Sequence, residues 1–227
     1  MFIMSKKPSY EVGRYVPESS KATSMSKRAF TPVLQRVLSG LATSYSSNQL
    51  AYLALTQKVE HTVRDMLAFQ LHRLLSKRKG ILVCREWRRT DLAILQDHQP
   101  RLLLEAKAIY TFDITKNGAE HPYPQQLAED IEKAENLGNE QTEILALLLA
   151  THPHDAPAAK YRSAIKYFGG VKKYCNAKAK IAGAHKVLRD RVKLRLVQHG
   201  EIPGGRAFGV PVSVAYWLFK SGLGRPT

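Results

Sequence analysis

Two cysteines, Cys84 and Cys175, are all that the 227-residue chain contains. One possible pair excludes a disulfide framework, and a reducing, cytoplasmic setting is the expectation. No apolar run approaches the roughly 20 residues of a membrane span. The first 25 residues have no apolar h-region, so neither a membrane protein nor a secretory signal is expected. Gly169-Gly170 and Gly204-Gly205 lack the Walker spacing and the Lys-Ser/Thr of a phosphate loop, which argues against a nucleoside-triphosphate or dinucleotide site. His152-x-His154 without a neighbouring Cys or third ligand is too little for a zinc site. Acid is also scarce, at 19 Asp and Glu against 35 Lys and Arg.

What is present is cation, and it is unevenly placed. The net charge of +16 points to a polyanion partner, most often nucleic acid. Residues 1–29 carry +4, 58–89 carry +6, 90–110 are near balance at −1, 111–157 carry −7 and 158–199 carry +11. The last segment supplies Lys160, Arg162, Lys166, Lys172, Lys173, Lys178, Lys180, Lys186 and Arg189 as expected phosphate contacts. Tyr161, Tyr167, Phe168 and Tyr174 interleave with these lysines and are core aromatics or stacking groups.

Hydrophobic residues make up 44% of the chain, enough for a full core. Residues 1–30 lack hydrophobic period and are expected to be a mobile basic arm, with a tail at 221–227. Thr31-Pro32 opens a short helix to about Leu41. One long helix is predicted over 49–77, ending in Lys77-Arg78-Lys79-Gly80. Strands follow at 81–87, 88–95 and 101–110, with Gln96–Pro100 as a hairpin loop. A loop is predicted at 113–121, a helix from Pro122 or Pro124 to Leu137, and a buried strand at 143–150. His152–Pro157 reads as a loop, 158–198 as helical with a break at Gly169-Gly170, 200–205 as a loop and 208–219 as a last strand. The fold class is therefore α/β, a mixed central sheet flanked by helices in one domain over 31–220, with a helical basic C-terminal segment.

The stretch that carries chemistry is Arg89-Thr90-Asp91-Leu92-Ala93-Ile94-Leu95, followed after the loop by Leu102-Leu103-Leu104-Glu105-Ala106-Lys107. A hairpin closed by 96–100 sets Leu95 opposite Arg101 and Asp91 opposite Glu105. Opposed residues share a face, and Lys107, two positions on, shares it too. Two carboxylates side by side in an apolar sheet raise each other's pKa. A hard divalent cation relieves that conflict, and Mg²⁺ or Mn²⁺ suits oxygen ligands. Such an ion stabilises charge on a phosphate and lowers the pKa of bound water.

Asp91, a gap of thirteen residues, and Glu105-Ala106-Lys107 resemble the signature of the PD-(D/E)XK nuclease superfamily, as does the element order over 49–150. Thr90 replaces the nominal proline before the acid. The resemblance implies a restriction-endonuclease-like core and a Mg²⁺-dependent DNA endonuclease. Asp91, Glu105 and the Ala106 carbonyl would be its metal ligands, with Lys107 beside the attacking water. It also implies an acid on the helix before the first strand, best matched by Glu60, and a polar residue on the helix after the triplet, Gln126 rather than Gln125. Double-stranded DNA is the expected partner, cut by a homodimer or by a subunit of a transposition, repair or defence complex. The rival reading is a non-catalytic nucleic-acid-binding module that keeps the fold.

Overall fold

The computed structural model describes residues 29–115, 123–175 and 179–222. Helices α1 (Thr31–Ser39), α2 (Gln49–Thr56) and α3 (Glu60–Leu75) precede strands β1 (Ile81–Trp87), β2 (Thr90–Gln96) and β3 (Gln99–Tyr110). Helices α4 (Thr111–Thr115) and α5 (Tyr123–Leu137) lead to β4 (Glu143–Pro153). Helices α6 (Phe168–Tyr174) and α7 (Ala179–Arg191) lead to a closing hairpin of β5 (Arg195–Ala207) and β6 (Val210–Lys220). The six strands form one sheet in the order β1-β2-β3-β4-β6-β5. Strands β3 and β4 are parallel and the other neighbours antiparallel, so the sheet is mixed. Among the described residues no helix is long and apolar enough to cross a membrane.

The central strands are apolar on both faces because both are covered. In β4, Leu145, Leu147 and Leu149 join the core under α1, α2, α3 and α6, while Ala146, Leu148 and Ala150 join the core under α5 and α7. The same alternation puts Leu104, Ala106 and Ala108 of β3 in the first core and Leu103 in the second. Glu105 and Lys107 therefore project toward α5.

Several sequence expectations are corrected. The single helix over 49–77 is two helices, parted at Gln57-Lys58-Val59. The Leu55 carbonyl, which helical continuation would give to Val59, accepts Lys166 N–H at 2.8 Å, and Gln57 turns extended. The loop between β2 and β3 is a two-residue turn, Asp97-His98, both with positive φ (51° and 63°). A bulge at Arg101 then takes up one residue, so Ala93 still opposes Leu103 and Leu92 opposes Leu104. Residues 111–115 are α4 rather than loop, and 116–122 lie outside the described residues. His152 and Pro153 belong to β4, where His152 is only 1% exposed with Nδ1 2.8 Å from the Thr111 hydroxyl. Gly169-Gly170 sits inside α6, not at a break, and the helical segment stops at Arg191. Residues 195–207 form β5, including the predicted loop 200–205, because the edge of β6 pairs with them and a bulge at Gly204 follows Pro203. Phe30, placed by the sequence in the arm, is instead buried in the core and donates its N–H to Glu143 Oε1 at 2.5 Å. The arm over 1–28 and the tail from 223 lie outside the described residues.

Candidate active site

The site is built on a strand edge. Strand β2 pairs with β3 up to Leu92 opposite Leu104, and among the described residues no strand continues along that edge. The exposed amides are taken by carboxylates instead: Asp91 Oδ2 accepts Ala106 N–H at 2.8 Å and Glu60 Oε2 accepts Ala108 N–H at 3.2 Å. In an extended strand a residue's N–H and C=O point to the same neighbour. The Ala106 carbonyl accordingly faces the same opening as the Asp91 carboxylate. Glu60 reaches it because the break at 57–59 makes it the first residue of α3.

Glu105 is 8% exposed and its carboxyl lies beside that of Asp91. Burial, then the charges of Asp91 and Asp130 and a hydrogen bond with Asp91, push its pKa up to about 8 against the pull of Lys107. Glu105 thus keeps its proton near neutral pH. Glu60 is also raised, by burial and by the Asp91 charge, with Lys107, His61 and the Ala108 amide opposing. Burial works to lower the Lys107 pKa, but the hydrogen bond and charge of Asp130, with Glu60 and Asp91, outweigh it and raise it. Lys107 Nζ stands 2.6 Å from Asp130 Oδ2 and remains an ammonium.

Asp130 and Arg64 are the residues that sequence reasoning missed. Asp130 lies on α5, which packs over the second core and points this carboxylate at the strand face carrying Lys107. Burial resists its ionisation, but hydrogen bonds from Lys107 and Lys133 hold its pKa below the usual carboxylate range. Arg64, 4% exposed, sets Nη1 3.3 Å from Asp91 Oδ1 and 3.2 Å from Glu86 Oε1, with Nε 2.9 Å from Asp65. At i,i+4 spacing Arg64 could pair with Glu60, but Arg64 serves the Asp91 side and Glu60 the β3 edge. The one available signal is an Arg on the apolar stripe of α3, where an unpaired cation would be costly.

The structure therefore brings together Asp91, Glu105, Ala106, Lys107 and Glu60. Gln126 is exposed, one turn before Asp130 on the same side of α5, while Gln125 donates to Glu129 at 2.9 Å. Lys160, Arg162, Lys166, Lys172, Lys173, Lys186 and Arg189 are all exposed. Lys178 and the side chain of Lys180 lie outside the described residues.

Among the described residues no three Asp, Glu, His or Cys side chains are grouped closely enough to hold a metal ion by themselves. The donors at the β3 edge are two carboxylates and one backbone carbonyl. Mg²⁺ binds with one or two carboxylates while keeping several waters, so this donor set suits it. The raised pKa of Glu105 beside the Asp91 carboxyl marks the place where a cation would relieve like charge. No protein-family model matches the chain, and no curated protein or solved structure matches it.

Proposed function

We propose that the protein is a divalent-cation-dependent DNA endonuclease built on a restriction-endonuclease-like core. The observation that carries this reading is the meeting of Asp91, Glu105 and the Ala106 backbone at an open strand edge, with Lys107 on the same face. Asp91, Glu105 and the Ala106 carbonyl would hold Mg²⁺ or Mn²⁺, which when bound supplies charge stabilisation at a phosphate and a more acidic water. Glu105 must first give up its raised proton, so the site favours loading above neutral pH. Asp91 is held in position by Arg64 and by the Ala106 amide. Glu60 fixes the next amide of the same edge and keeps the backbone at Ala106–Ala108 in line.

Lys107 is kept charged by Asp130, so it donates hydrogen bonds and does not abstract protons. Its role is to orient the attacking water and to stabilise charge that develops on the phosphate oxygens. Asp130 is a positioning residue that sets where the ammonium stands. The exposed cations of residues 160–189 would hold the phosphate backbone.

Supercoiled plasmid incubated with the protein and Mg²⁺ should be nicked or linearised, and EDTA should stop it. Lys107→Ala and Asp91→Ala should each reduce the rate by about 100-fold or more, the scale of losing one charge-stabilising group. The presence of two acids where three would make a self-sufficient metal cluster favours the second reading, a nucleic-acid-binding module without catalysis. DNA binding that Asp91→Ala leaves unchanged, with no cleavage by wild type, establishes that reading instead.

A further inference from the structure

Immediately beyond the carboxylate edge, β3 opens into a cavity of about 470 Å³ lined by Lys58, Ala108, Tyr110, Phe112, Asp113 and Tyr167. This is within the usual range for small-molecule sites, about 300–1,000 Å³. It begins at Ala108, whose amide Glu60 holds. Tyr110 is three residues past Lys107, about 10 Å along the strand. The cavity lies on the sheet face of Ala106 and Ala108, opposite the face of Glu105 and Lys107, and the two meet at the β3 edge that Glu60 holds.

Its walls are aromatic and fixed. Tyr110 donates its hydroxyl to the Ala54 carbonyl at 3.1 Å, and Phe112 stacks on its ring with centroids 4.9 Å apart. Tyr167 meets Tyr110 edge-on at 5.7 Å, yet it is 52% exposed. Its backbone is left-handed (φ 58°), an unfavourable state for a bulky residue and one that collects at ligand sites. Exposed Lys58 lines the cavity, and exposed Lys166 precedes Tyr167 in the chain. Lys166 stands over the Tyr167 ring at 5.4 Å.

We propose that this cavity receives an unstacked nucleobase beside the scissile phosphate, so that the substrate is single-stranded or unpaired DNA rather than intact duplex. The proposal rests on the endonuclease reading for the position of the phosphate. An exposed ring over an aromatic floor offers a stacking platform, which every base can use and a paired base cannot reach. Lys58 and Lys166 suit the adjoining backbone phosphates.

The test is fluorescence anisotropy with the full chain in EDTA, so that nothing is cut. A labelled single strand, the same strand as blunt duplex, and the same strand with abasic residues are compared. Wild type should bind the single strand more tightly than either of the others. Tyr167→Ala should weaken single-strand binding by about 5- to 150-fold, the range for losing one base–aromatic stack. Tyr167→Phe should bind as wild type, and both variants should melt as wild type. Equal affinity of Tyr167→Ala and wild type for the single strand overturns the proposal, as does an abasic strand bound as well as the intact one. Cleavage of circular single-stranded DNA and of plasmid with Mg²⁺ judges the endonuclease reading separately, loss of both being the failure of that reading. Cleavage without single-strand preference sinks only the base site, and a Tyr167-dependent preference without cleavage sinks only the endonuclease.

Discussion

A buried carboxyl that keeps its proton on folding leaves a mark on stability as pH changes. Glu105 titrates near pH 8 in the folded chain against an ordinary value of 4.5. Between those limits the folded state binds more protons than the unfolded one, so stability falls as pH rises. The contribution is complete below about pH 4.5 and lost on passing about pH 8. In EDTA, the wild-type melting temperature should decline between pH 5 and 8 more steeply than that of Glu105→Gln, whose amide does not ionise. Mg²⁺ should raise the wild-type melting temperature more at pH 8 than at pH 5. Parallel profiles for the two proteins would show that Glu105 ionises normally. Arg64 gives the opposite kind of test, since its removal strands Asp91 at the strand edge. Breaking a buried pair costs about 3–5 kcal/mol. At about 2–4 °C per kcal/mol for a domain of this size, Arg64→Ala should melt at least about 6 °C lower. A melting curve within 1–2 °C of wild type, on the order of the effect of an ordinary surface substitution, would mean that Asp91 holds its place without it.

At the level of elements, the half of the sheet that carries the candidate site was legible and the flanks were not, for a reason visible in the strands. Strands β2, β3 and β4 are apolar runs punctuated by turn residues, so their existence and face assignment follow from local sequence. The register near Asp91 was also recoverable, although the turn is shorter than expected. The bulge at Arg101 compensates for the two-residue Asp97-His98 turn before Leu92 meets Leu104. By contrast, Gly200–Gly205 looks like loop by composition and becomes strand only because β6 offers it an edge. Asp130 and Arg64 meet their partners across 23 and 27 residues of chain, and no local pattern encodes such contacts. The seating of α2 on β5 is likewise a tertiary fact. A Cβ on Gly204 would stand 2.9 Å from the Val212 carbonyl and 3.2 Å from the Ala51 amide. Neither backbone can yield without shifting β6 or α2, so Gly204→Ala should destabilise by about 1–3 kcal/mol in urea unfolding. Because α2 carries the chain into the 57–59 break, the same variant should lower cleavage by displacing Glu60. Unchanged stability would show that α2 tolerates the displacement.

On the scale of the whole molecule, the +16 resolves into separate tasks. The acids that would hold a cation sit in the near-neutral β2–β3 hairpin, and the +11 segment runs from one face of the sheet to the other. Ile165, Phe168 and Val171 are buried in the first core, Ala184 and Leu188 in the second. The apolar residues of this segment thus anchor it while its described lysines and arginines stay exposed, the arrangement expected of a grip rather than of a buried ion network. Phosphate contacts of this type release counterions, and log K falls against log salt with a slope of about −0.9 per phosphate neutralised. Replacing Lys172 and Lys173 with Gln should therefore flatten the slope by up to about 1.8, two contacts' worth. Removal of residues 1–28, which hold six basic side chains against two acids, should flatten it further. Neither change touches the carboxylates, so single-turnover cleavage at saturating DNA should proceed at the wild-type rate in both variants. A slope that stays constant would place the phosphates elsewhere on the surface. A slowed chemical step at saturation would mean that the basic segment aligns the scissile phosphate as well as holding the strand.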